Sequence, residues 1–141
     1  MDKRVVANEI LLEEAAALMA EGREVSFTPL GYSMNPFIKG GKDSVTLKKM
    51  PSAAVGDIVL VRLPGHYVLH RVIRVEGERL TLMGDGNLLG TESCTQADVM
   101  GTVTAIQKGR RTVRPGSGHL WHATPKLFRR YILAIYRRVF L

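Results

Sequence analysis

The chain has 141 residues, 45% of them apolar, which is enough material for one hydrophobic core and little else. A single cysteine, Cys94, excludes an internal disulfide, and no Cys/His spacing suits a zinc site, so neither a metal nor another cofactor is expected. The net charge of +7 is unevenly placed, because nine of the twenty Lys/Arg and none of the thirteen Asp/Glu fall in Lys108–Leu141. The basicity belongs to the tail. No segment has the uninterrupted apolar run of about 18 residues that a membrane span needs, and Met1-Asp2-Lys3-Arg4-Val5 lacks the apolar stretch of a signal peptide. The expectation is a chain that stays on the cytoplasmic side.

In chain order, residues 7–21 predict a helix, with strong helix formers, acids in the early turns and Gly22 as a stop. Its apolar stripe is Ile10, Leu11, Ala15, Leu18 and Met19, suited to cover the body or to dock on a partner. Val25, Phe27 and Pro29 alternate with polar positions, a strand that leads into Gly31-Tyr32-Ser33-Met34-Asn35-Pro36. Ser44–Leu47 and Asp57–Arg62 read as two further strands, and Tyr67–Val75 as a long one after the Leu63-Pro64-Gly65-His66 turn. Glu76-Gly77-Glu78 reverses the chain into Arg79–Met83, and Val99–Ile106 with Arg111–Val113 completes the set. Cys94 reads as a small, partly buried filler. Many short strands without a βαβ rhythm predict a mainly β, mostly antiparallel sheet, coiled or closed into a partly open barrel.

Thr124-Pro125 opens a helix over Lys126–Leu141, in which Phe128, Tyr131, Ile132, Ile135 and Val139 share one face and Lys126, Arg130 and Arg137 the other. Such a basic amphipathic helix suits the headgroup layer of a membrane surface, or packs on the body or on a partner. Nucleic acid is not the expected partner, because there is no platform of stacking aromatics. The chain thus divides into an N-terminal helix (1–22), a β domain (23–114) and a C-terminal helix (115–141).

Two stretches carry chemistry. Ser33 lies between Gly31 and Pro36 after an extended run, so its hydroxyl projects from a turn. His70 lies in a strand, on one face with Val68 and Val72, while Leu69, Arg71 and Ile73 share the other. Small apolar neighbours favour a neutral ring able to act as a base. A serine hydroxyl is a poor nucleophile at neutral pH and needs such a base within reach, itself held in one tautomer by a carboxylate. The plain alternatives are a turn-capping serine and a half-buried strand histidine.

The ordered set Ser33-Met34-x-Pro36, Gly56-Asp57-Ile58-Val59, His70-Arg71-Val72 and Gly84-Asp85-Gly86-Asn87 resembles the type I signal peptidase and LexA-type superfamily of serine peptidases, over roughly residues 25–107. His70 stands where bacterial signal peptidases carry a lysine before Arg-Val, as in the archaeal, endoplasmic-reticulum and sporulation-type branch. The resemblance implies the coiled β fold of that superfamily and a serine endopeptidase acting on a peptide or protein substrate. It makes Ser33 the nucleophile and His70 the general base. Asp85, which matches the family's Gly-Asp turn, becomes the third member. Histidine-type relatives carry a further acidic cluster after this turn, and here only Glu92 or Asp98 could substitute. Met34 resembles the residue lining the family's small-side-chain pocket, which implies cleavage after a small residue, and Pro36 stiffens the turn. Position 31, often a serine in the pattern, is glycine, so backbone N–H groups must hold the oxyanion. Anchored signal peptidases carry a membrane span before the serine; none is expected here, and the C-terminal helix would take its place at the inner face of the membrane. Two alternatives are a LexA-like self-cleaving or regulatory module and a non-catalytic relative that binds peptide or a membrane surface. The first fits less well, with only 32 residues before the serine, no helix-turn-helix, and histidine where that group uses lysine.

Overall fold

A computed structural model describes residues 9–30, 33–87, 90–116, 129–130 and 132–134. Helix α1 (Glu9–Ala20) is followed by β1 (Val25–Phe27), β2 (Ser44–Lys48), β3 (Ile58–Leu63), β4 (His66–Glu76), β5 (Arg79–Met83), β6 (Glu92–Thr95), a 3-10 turn (Gln96–Asp98), β7 (Val99–Lys108) and β8 (Arg111–Val113). The sheet runs β1-β2-β7-β3-β4-β5-β6, with β8 attached to β7. Every pairing is antiparallel, and the sheet is open, with β1 and β6 as its end strands.

Strand β3 lies between β4 and β7, and its run Ile58-Val59-Leu60-Val61 is buried on both faces. Because side chains alternate along a strand, it feeds two cores. Ile58 and Leu60 join Met19, Phe27, Ile38 and Leu47 on one side, while Val59 and Val61 join Val72, Leu80, Leu82 and Cys94 on the other. Cys94 is the buried filler that its sequence context suggests.

The α1 helix stops as its sequence indicates. Arg23 N–H reaches Leu18 O at 3.1 Å and Gly22 N–H reaches Met19 O at 2.9 Å, the paired bonds that close a helix at a glycine. Its buried face is Ala15, Ala16 and Met19, and Leu18 is only half-buried. Met19 lies over Gly101 of β7, where even a methyl group would run into its sulfur.

The seven predicted strands are present. The eighth, β6, is not legible as a strand in Glu92-Ser93-Cys94-Thr95, since four residues with one weakly apolar member carry no periodicity. Most of the expected C-terminal helix, including Phe128, Tyr131, Ile135 and Val139, lies outside the described residues. In the described part Arg129 and Leu133 are buried while Arg130 and Ile132 are exposed, so the inward side is not the face predicted from Ile132. Among the described residues no helix is long and apolar enough to cross a membrane.

Candidate active site

Strand β4 changes partners at its middle. His66–Arg71 pairs with β3 and Arg71–Glu76 with β5, with a register irregularity between Val72 and Arg74. His70 and Arg71 are both buried at this handover and face opposite sides of the sheet. The His70 Nδ1 atom meets Glu92 Oε1 at 2.5 Å. The ladder explains how residues 22 apart arrive there. Val72 pairs with Leu82 and Leu82 with Glu92, so Glu92 stands two strands from β4 on the face that carries His70. Gly84 leaves the intervening space open, and a Cβ there would collide with the Ser33 carbonyl oxygen and come within 3.1 Å of His70 Nε2.

Ser33 opens a turn over residues 33–37 in which Phe37 and Ile38 N–H both bond Met34 O, at 2.9 and 3.0 Å. The loop is closed at its base by Gly41 N–H to Pro29 O at 2.7 Å, and at its far end Asp43 accepts from Lys39 N–H and Lys108 Nζ. It is fastened to the 84–87 turn by Gly86 N–H to Ser33 O at 2.7 Å and by Asp85 N–H to Met34 Sδ at 3.4 Å. The serine and histidine elements therefore meet at Gly84. Among the described residues no hydrogen bond joins the Ser33 hydroxyl to His70, whose Nδ1 is engaged by Glu92.

Asp85 does not fill the role expected of it. Its carboxylate takes a forked pair of bonds from Arg71, Nε to Oδ1 at 2.9 Å and Nη2 to Oδ2 at 2.7 Å, with both side chains out of solvent. Arg71 Nη1 donates to Gly56 O and Gly116 O, each at 2.8 Å, and its guanidinium lies 5.1 Å from the centre of the Phe37 ring. So Asp85 and Arg71 fix the turn and the serine loop, while the carboxylate on the imidazole is Glu92. Asp98, the other substitute considered, instead accepts from Thr95 N–H at 2.8 Å at the start of the 3-10 turn. The burial of Arg71 is not legible in its own strand, because its partners Gly56 and Asp85 lie in separate turns.

Ser33, Met34 and His70 line one cleft of about 260 Å³, together with Leu12, Tyr67 and Leu69. Pro36 is not among its lining residues, so it shapes the turn rather than the cleft. Beneath Glu92, burial first, and the carboxylates of Asp98 and Glu92 second, push the Cys94 thiol from 9.0 to about 11. It is a protonated packing group, not a second nucleophile. Among the described residues no cluster of His, Cys, Asp and Glu could hold a metal ion. No protein-family model matches the chain, and no curated protein matches it either.

Proposed function

We propose that the protein is a serine endopeptidase of the signal-peptidase-like type, with the coiled β fold of that superfamily. Ser33 is the nucleophile, His70 the general base, and Glu92 the carboxylate that orients the imidazole. The observation that carries this reading is the His70–Glu92 contact at 2.5 Å, made on the ring nitrogen opposite the one beside Gly84 and the serine loop. With Nδ1–H donating to Glu92, the lone pair of Nε2 is free to take the serine proton.

In the first step Ser33 Oγ bonds to the substrate carbonyl carbon while its proton passes to His70 Nε2, and the carbonyl oxygen becomes an oxyanion facing the Ser33 N–H. His70 then delivers that proton to the amine nitrogen, the C–N bond breaks, and an ester to Ser33 remains. Water attacks the ester, again giving a proton to His70, which returns it to Ser33 Oγ as the acid leaves. Cleavage after a small residue is the preference that the resemblance at Met34 implies.

Turnover of a labelled octapeptide library by wild type, Ser33→Ala and His70→Ala tests this. Either substitution should lower the rate by about a million-fold, since a nucleophile and its base act as a unit. Intact-mass measurement of the purified chain distinguishes self-cleavage, which would appear as two fragments. Binding of peptides without turnover by folded wild type would leave only the non-catalytic reading. Contact with a membrane surface through residues 115–141 is a separate proposal, tested by co-sedimentation of the full chain with anionic vesicles; no partitioning would refute it.

A further inference from the structure

We propose that the cleft beside Ser33 is a subsite for a large apolar side chain of the substrate, leucine, methionine or phenylalanine, with Leu12 and Tyr67 as its far wall. This rests on the peptidase reading and adds to it a specificity that cleavage after a small residue does not explain. An alanine methyl is about the size of one water, roughly 30 Å³, and would leave most of a cleft of about 260 Å³ empty. Most of the lining residues are apolar, with Leu12 from α1, Phe27 from β1, Ile38 from the serine loop and Leu60, Tyr67 and Leu69 from the sheet, although polar atoms supply nearly half of the lining surface. Such walls gain from a side chain that fills them and gain little from a methyl group.

What holds the far wall is a cluster joining α1 to the β3–β4 hairpin. Arg62 Nη2 donates to Glu13 Oε2 at 2.9 Å, Arg62 Nε donates to Tyr67 Oη at 3.2 Å, and Tyr67 Oη donates to Glu13 Oε1. The Arg62 guanidinium also lies 5.6 Å from the centre of the Tyr67 ring. Partial burial first, and the bond to Glu13 second, push the Tyr67 phenol above its ordinary 10.0, which keeps it a donor to Glu13. Glu13 and Arg62 are about half exposed, so this cluster adds little to stability. Its effect is on where the wall stands. Glu13 is the neighbour of Leu12, and fixing one carboxylate to the hairpin sets the separation of Leu12 from Tyr67.

The test uses the full chain as Ser33→Ala, with fluorescein-labelled octapeptides carrying Ala, Leu or Phe at each position in turn, read by fluorescence anisotropy. At one position Leu or Phe should bind about tenfold or more tightly than Ala. Leu12→Trp, which narrows the cleft, should abolish that preference with binding of the Ala peptide retained. Tyr67→Phe, which keeps the ring and loses the hydroxyl, should reduce the preference severalfold. Equal binding of Ala, Leu and Phe at every position overturns the proposal, as does an unchanged preference in folded Leu12→Trp. If Leu12→Trp fails to fold, an unchanged preference in Tyr67→Phe overturns it instead. Wild-type turnover of the same peptides separates the two readings: preference without cleavage refutes the peptidase and keeps the subsite, whereas cleavage without preference refutes the subsite alone.

Discussion

Adjacent residues of one strand carry two ion pairs of opposite character. Arg71–Asp85 has both partners within 1% of complete burial, forked geometry and further carbonyl acceptors, whereas His70–Glu92 has a single contact and a carboxylate that keeps 25% of its side chain in solvent. Burying two charges is costly, and removing one partner of such a pair leaves the other unpaired in a low dielectric. The His70–Glu92 pair, whose carboxylate keeps contact with solvent, carries a smaller penalty. The first is therefore expected to act on stability and the second on chemistry, although the sequence motif points to Asp85 for the chemistry.

The sharpest way to break this comparison is to remove each carboxylate in turn. Glu92→Gln, which keeps the shape but can favour the wrong imidazole tautomer, should lower turnover by about ten-thousand-fold with little change in melting temperature. Asp85→Ala should cost about 3–5 kcal/mol of stability, a fall of roughly 10–17 °C in the melting temperature read by calorimetry. Gly84→Ala sharpens it from the other side. The added methyl would displace the Ser33 carbonyl and crowd His70, so turnover should drop at least about a hundredfold, measured on folded protein.

Cys94 gives the smallest effect. Because its thiol is raised from 9.0 to about 11, the contribution of the neutral thiol to stability is fully present below about pH 9 and is lost as pH rises through 11. Denaturant midpoints measured at pH 8, 9.5 and 11 should fall in that order more for wild type than for Cys94→Ala. Equal slopes would refute the assignment.

The strands were legible because their residues alternate or form apolar runs, and the Ser33 turn because glycine and proline punctuate it. His70 stood out as a polar residue inside an apolar strand. Glu92 could be named only as a substitute, since its role depends on the pairings Val72 to Leu82 and Leu82 to Glu92, a register that no local pattern encodes. The buried Arg71 was hidden for a related reason. An arginine in a strand normally reads as an exposed position, and its partners Asp85, Gly56 and Gly116 come from three distant turns. The cleft wall from α1 was equally hidden, because nothing local to Glu13 points to Arg62 or Tyr67.

The most direct measurement compares the rate at which wild type and Glu92→Gln cleave the same labelled octapeptides, with melting temperatures recorded on the same samples. The expected result is loss of nearly all turnover in Glu92→Gln with its melting temperature kept within a few degrees. Full turnover in Glu92→Gln, or no turnover by folded wild type on any peptide of the library, would contradict the assignment of Glu92 and His70 to a working serine site.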